Sequence, residues 1–227
     1  MWCIGTLTAD FIAQMERILF LYGQKADPVC PLVCMDEKSY QILGDVLQPI
    51  DMKPGKDKKE SDKYIRQGVV QIFVAFLPLW GLRFVWICPK RRAWDFASFM
   101  KAFLVEYLPS VLPEANSIRL VCDNLNTHNK GSLYKMFKPH EAFDWAQKIE
   151  FNYTPVNASW LNMAEMEIYA LSTICLKRRM DNQKFVTMEV QQLVKERNDQ
   201  RIKVNWQFDC AKARQTFEKA YSKLNSC

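Results

Sequence analysis

Hydrophobic positions along this chain follow two periods, a helical one near 3.6 residues and a strand-like one of runs or alternation, and the switches mark the elements. Phe11, Met15, Ile18 and Tyr22 recur at helical spacing, with Thr8 placed as cap and Gly23 as stop. Pro31 to Asp36 is then a short apolar strand that ends on an acid. Asp51 to Lys63 has no apolar period and reads as a solvated loop or an arm over nucleic acid. Val69–Phe76 and Leu82–Ile87, joined by Pro-Leu-Trp-Gly, predict a β-hairpin. Phe96, Phe99, Phe103 and Tyr107 line one side of a helix that Pro109 closes.

The same grammar continues. Ile118–Cys122 has the look of a strand buried on both faces, and it stops abruptly at Asp123, followed by Asn124, Asn126, Thr127 and His128. Leu133–Phe137 and the stretch after Pro139 are short helices, and Ile149–Tyr153 is a last brief strand. Thr154-Pro-Val-Asn-Ala is a turn, with Ser159 as N-cap of a long helix to about Met180. Two amphipathic helices finish the chain, one with Val186, Val190 and Leu193, the other capped by Asp209 with Ala213, Phe217 and Ala220. The order predicts one α/β domain with a mixed sheet, in which strands 31–36 and 118–123 lie parallel and side by side.

Composition fits an ordinary globular chain: 227 residues, 49% hydrophobic, 25% charged, with 7 Gly and 10 Pro too few for long disordered tracts. The net charge of +6 permits a polyanionic partner without requiring one. Val69 to Cys88 has the length of a membrane span, but Pro78 and Gly81 break it, which favours the hairpin and no membrane. Eight cysteines, at 3, 30, 34, 88, 122, 175, 210 and 227, have no zinc spacing, and the start at Met1 lacks a basic secretory n-region. Free thiols in a reducing cytosol are the expectation.

A lone Asp at a strand end often only caps a turn. Two at equivalent ends of neighbouring strands favour a shared site, and close carboxylates are relieved by a shared proton or a cation. Oxygen-only donors suit Mg²⁺ or Mn²⁺. A third acid would come from the helix after Ser159, where Glu165 and Glu167 flank the apolar stripe on opposite sides; the more polar face slightly favours Glu165, and geometry alone does not choose. Basic clusters at Lys90-Arg91-Arg92 and Lys177-Arg178-Arg179 could meet phosphates or be ordinary charged helix ends.

Cys34-Met-Asp-Glu37, Asp123-Asn-Leu-Asn-Thr-His128 and Tyr153-Thr-Pro-Val-Asn-Ala-Ser-Trp-Leu-Asn-Met-Ala-Glu165 closely resemble the three catalytic blocks of bacterial insertion-sequence transposases of the mariner-like superfamily. Arg66-Gln-Gly68, Cys175-Leu-Lys-Arg-Arg179, Val204-Asn-Trp-Gln-Phe208 and Ala213-Arg214 are also similar. The resemblance implies a ribonuclease H-like five-stranded sheet flanked by helices, with a helical segment over 1–28, a core over 29–180 and extra C-terminal helices over 181–227.

It further implies that Asp36, Asp123 and Glu165 are the catalytic acids and hold two Mg²⁺ (or Mn²⁺) ions. In that family a water cuts double-stranded DNA at the element ends, and the freed 3′-hydroxyl then attacks target DNA. Arg66, Lys90, Arg91, Arg92, Lys177, Arg178 and His128 are the candidates for DNA contact; His128 could instead orient Asp123. A homodimer assembled on DNA in the bacterial nucleoid is expected. Two departures stand out: no helix-turn-helix module is legible upstream, and Asn152 and Asn157 stand where relatives often carry histidines. The rival readings are a non-catalytic DNA-binding or assembly protein derived from a transposase, and a simple nuclease of the same fold.

Overall fold

Alternation along the strands decides how the layers assemble. In the computed structural model, which describes residues 7–57 and 59–224, β1 (Leu32–Asp45) sends Val33 and Met35 to one face and Leu32 and Cys34 to the other, all fully buried. β2 (Tyr64–Leu77) and β3 (Leu82–Cys88) form the hairpin, antiparallel to each other and turning at Gly81 with φ +63°, and β2 also pairs antiparallel with β1. β4 (Ile118–Cys122) and β5 (Ile149–Tyr153) add parallel to the other side of β1. The sheet order is β3-β2-β1-β4-β5. This is the mixed sheet that the pattern predicts, with the five strands that the resemblance implies.

Helices cover both faces. On the first, α2 (Ala93–Lys101) presents Phe96 and Phe99, and Phe99 stacks on Phe73 of β2 at 5.3 Å between centroids. A π-helical turn (Ala102–Tyr107) and α3 (Leu108–Val111) continue the same rod, and α4 (Lys130–Tyr134) and α5 (Pro139–Gln147) complete that layer. On the second face lie α1 (Ala9–Tyr22), α6 (Ala164–Ile174) and α7 (Gln183–Asp199), with α8 (Cys210–Thr216) packed on α1 and leading into α9 (Glu218–Leu224). The expected caps at Thr8 and Asp209 are made, to the amides of Phe11 and Lys212.

Four expectations need correction. The first strand does not end at Asp36 but runs nine residues further, because beyond Cys34 it loses β4 and keeps β2. Its pattern changes there from a buried run to alternation, with Tyr40 and Ile42 buried under α6 and α7. Pro109 does not close its helix: the wide turn before it, with the Leu108 amide on the Phe103 carbonyl, absorbs a residue that has no N–H to give. Ser159 does not cap a helix to Met180. It opens a 3₁₀ turn (Ser159–Leu161), and α6 begins only at Ala164 and ends at Ile174. The short helix expected at 133–137 also sits earlier, at Lys130–Tyr134, where the Asn129 side chain caps the amide of Ser132.

No described helix is long and apolar enough to cross a membrane. The described cysteines are free, and the buried ones, such as Cys34 and Cys122, act as small core residues; Cys3 and Cys227 lie outside the described residues.

Candidate active site

Register brings the two aspartates together. Cys34 of β1 stands opposite Val121 of β4, so two further residues on each strand make Asp36 level with Asp123. Neighbouring strands run about 4.8 Å apart, so side chains at this level share one patch of surface. Alternation aims Asp36 the same way as Leu32 and Cys34, toward the face that α1 and α6 cover.

Glu165 arrives from α6, whose first turn is tied directly to β1. Asn162 donates from Nδ2 to the Met35 carbonyl at 2.8 Å, and its Oδ1 accepts the Ala164 amide at 3.1 Å. Tyr22 of α1 braces the same segment, donating to the Leu161 carbonyl at 2.6 Å while Trp206 packs edge-on against its ring at 5.1 Å. Glu165 lies in the first turn of α6, just after this segment, and is partly exposed. Burial pushes the Asp36 carboxyl up to about 7, with the charge of Glu165 next in size and those of Glu37 and Asp123 adding to it. Carboxylates from three elements therefore feel one another at this point.

Glu167 settles elsewhere. It is 3% exposed, forked by Arg83 of β3 (Nε–Oε2 2.6 Å, Nη2–Oε1 2.9 Å) and held again by Arg197 of α7 at 3.1 Å. Burial alone would raise its carboxyl, and the two guanidiniums outweigh that and hold it low. Arg83 also donates to the Gly81 and Ile202 carbonyls, so this buried cluster locks α6 and α7 onto the edge of the sheet. Its signal in the sequence was the lone charge inside the apolar run of β3.

His128 is not at the surface. It is 1% exposed, with Nδ1 2.5 Å from Asp123 Oδ1 and Nε2 3.2 Å from Glu37 Oε2, the latter pair misaligned for a hydrogen bond. Burial would lower its pKa, but the two carboxylates outweigh that and raise it to about 9, which makes it an imidazolium at neutral pH. The bond from His128 in turn holds Asp123 below the usual carboxylate range. The ring is thus buried between two carboxylates, against Asp123 as the alternative role had it, and not at the surface where a phosphate contact would need it. Glu37 went unnoticed in the sequence, although it stands next to Asp36.

The basic candidates divide by place. Lys90, Arg91 and Arg92 are exposed between β3 and α2, and Arg91 reaches Glu37 Oε1 at 3.5 Å, beside the acids. Arg92 closes on Asp95 at 3.1 Å as a helix-start pair. Arg66 is exposed opposite Leu43, roughly 24 Å along β1 from Asp36 at 3.4 Å per residue. Lys177 is exposed, whereas Arg178 pairs with Glu189 and lies over the Phe185 ring at 5.1 Å. The structure does not bring these last three to the acids.

A cleft of about 410 Å³ opens beside Asp123, walled by Leu125, Thr154, Pro155, Asn157 and Ser159, with Asn157 at φ +61°. The acids offer oxygen donors only, and their mutual repulsion is what a hard divalent cation relieves, so Asp36, Asp123 and Glu165 fit such an ion in donor type. Among the described residues no three His, Cys, Asp or Glu side chains already form a cage for a metal. The acids converge without closing.

Solved structures share this arrangement of elements. The Mos1 transposase paired-end complex with left transposon end superposes with a TM-score of 0.58 at 12% identity, over 100% of this chain and 66% of that one. The Mos1 mariner paired-end complex with Mn gives 0.57 at 13% over the same shares, and the one with Mg 0.54 at 13% over 88% and 59%. At such identity the likeness is one of fold, the ribonuclease H-like fold, and the chain spans about two thirds of the Mos1 chain's length. No curated protein matches the chain by sequence. The sequence profile of the DDE superfamily endonucleases matches residues 31–187, most of the chain and all five strands. The chain belongs to the DDE superfamily of endonucleases.

Proposed function

We propose that this chain is a transposase catalytic domain that cuts DNA strands and joins the freed 3′-hydroxyl to a target. Asp36, Asp123 and Glu165 are its catalytic acids in this reading and hold two Mg²⁺ or Mn²⁺ ions. The observation that carries it is the register that sets Asp36 of β1 level with Asp123 after β4, beside the start of α6 that Asn162 ties to Met35, in a DDE endonuclease fold. Bound ions supply Lewis-acid activation of the attacking oxygen and stabilisation of the leaving oxygen at the scissile phosphate.

The chain's own residues do the rest. Asn162 and Tyr22 keep the start of α6 against β1, so that Glu165 faces Asp36. The Arg83–Glu167–Arg197 cluster keeps α6 from shifting along the sheet. Arg91, beside the acids through Glu37, and its exposed neighbours Lys90 and Arg92 meet the phosphates of the strand being cut in this reading, a sequence-independent contact. Lys177, just past α6, and Arg66, far along the hairpin, are suited to DNA on its way out of the site. One Mos1 complex carries a left transposon end and two others Mn or Mg, which supports double-stranded DNA and these ions as this chain's partners; a homodimer assembled on DNA and the bacterial nucleoid as its place of work complete the proposal.

The test is strand cleavage and joining of duplexes bearing the terminal inverted repeats that flank the coding frame, with Mn²⁺ or Mg²⁺. Wild type is expected to cut and join, and Asp123→Asn to do neither. Equal activity in the variant ends the reading; cutting without joined product leaves a nuclease of the same fold.

A further inference from the structure

An Asp-Glu pair on one strand must divide between the two faces of the sheet. Asp36 faces α6, whereas Glu37 follows Val33 and Met35 to the opposite face, where α2 and α4 lie. There Glu37 is 5% exposed at its side chain, and its Oε2 lies 3.2 Å from the buried Nε2 of His128. Neither atom has a hydrogen-bond partner among the described residues. The imidazole is wedged on its flank by Phe96, whose ring centroid is 5.1 Å away. Its backbone is pinned too: the Tyr153 hydroxyl donates to the His128 carbonyl at 2.9 Å, and the His128 amide donates to Leu125.

The other nitrogen, Nδ1, meets Asp123 Oδ1 at 2.5 Å, and the Leu125 amide adds a second donor to the same oxygen at 3.3 Å. Oδ1 is therefore spent on the protein. Oδ2 accepts no hydrogen bond among the described residues, and it is the oxygen left for the cleft. A carboxylate on a loop could otherwise turn about its χ2 and present either oxygen.

We propose that Glu37 and His128 are positioning residues: Glu37, from the far face of the sheet, anchors the imidazole that fixes Asp123 by Oδ1 and leaves Oδ2 for the cation. Asp123 thus depends on a fourth acid that never meets the ion. The inference rests on the proposed metal site and adds to it the device that presents one of its ligands. Outer partners of metal ligands are commonly worth about 10–100-fold in affinity.

The test compares two replacements of one ring. Asn at 128 places its amide near the Nδ1 position and can still donate to Asp123; Gln reaches toward Nε2 and cannot. Both remove the same packing against Phe96, so a purely structural role makes them equal. Mn²⁺ affinity by electron paramagnetic resonance titration is expected to fall about tenfold or more in His128→Gln and by less than about threefold in His128→Asn. Glu37→Leu, which removes the far anchor, is expected to weaken Mn²⁺ about tenfold, and Glu37→Gln, which keeps an acceptor, far less.

Equal affinities for His128→Asn and His128→Gln overturn the proposal, as does a Glu37→Leu chain that binds Mn²⁺ like wild type, which serves should either His128 variant fail to fold. Asp123→Asn separates this from the wider reading: Mn²⁺ binding that ignores Asp123 sinks the metal site itself, while Asp123-dependent binding with equal His128 variants sinks the positioning role alone.

Discussion

Replacing Asp36 by Asn should stabilise the metal-free protein while abolishing its chemistry. The carboxyl is raised from the ordinary 3.8 to about 7 by burial and by Glu165, Glu37 and Asp123. The folded state keeps the proton up to about pH 7, whereas the unfolded chain releases it near 3.8. Stability is therefore full below the unfolded value and lost as pH climbs through the folded one. Three pKa units at 1.36 kcal/mol each amount to about 4 kcal/mol above pH 7, and to about 3 kcal/mol between pH 5 and pH 8. Asn keeps the shape and the acceptor that Oδ1 offers to the Glu37 amide at 2.8 Å, so little else changes. Thermal unfolding in EDTA should show Asp36→Asn melting roughly 10 °C above wild type at pH 8, at about 2–4 °C per kcal/mol for a domain of this size. The gap should narrow by more than half at pH 5. Saturating Mn²⁺ should restore wild type by about 3 kcal/mol at a hundredfold excess over its dissociation constant and leave the variant unmoved. A variant no more stable than wild type at pH 8 in EDTA refutes the charge strain assigned to this position.

The two glutamates of α6 should separate cleanly: Glu165→Gln loses strand cleavage with a melting temperature in EDTA no lower than wild type, since it also relieves Asp36, and Glu167→Gln unfolds with about 3–5 kcal/mol less free energy in urea, since it strands Arg83 inside the protein. The reverse pattern would reassign the third acid. Gly81→Ala should lower stability by at least about 1 kcal/mol from the left-handed backbone alone, and its new Cβ would stand 2.4 Å from the Arg201 carbonyl; a urea midpoint equal to wild type counts against that contact. Neutralising Lys90, Arg91 and Arg92 together should weaken DNA binding about equally for every sequence and flatten the slope of log affinity against log salt by up to about three. An unchanged slope puts the DNA elsewhere.

How much of this could be read in advance depends on whether the cause was local. Asp123 was visible because β4 is buried on both faces and an acid at its end has no place in a core. Asp36 was visible for a partly wrong reason. The apolar run does stop there, but the strand goes on, and what ends is the neighbour β4. The third acid stayed open by pattern alone because Glu165 and Glu167 differ only in which side of one helix they occupy. Their sorting is done by Arg83, 84 residues away in the chain, and by Arg197, 30 residues away. Ser159 had the chemistry of an N-cap, yet Asn162 took part of that role, since its amide also reaches the carbonyl of Met35 across 127 residues. His128 looked like a DNA residue because a polar loop hides the fact that Phe96 closes over it.

That bond from Asn162 to Met35 turns the start of α6 into a protractor. Glu165 sits three residues on, so its bearing about the helix axis is counted from a fixed zero mark on β1. One residue inserted between Asn162 and Glu165 would swing the carboxylate by about 100° and carry it about 1.5 Å along the axis, away from Asp36 and toward solvent or the sheet. The same insertion in the turn before Ser159 would be absorbed upstream of the mark and leave the bearing untouched. Length is therefore free on one side of Asn162 and quantised on the other.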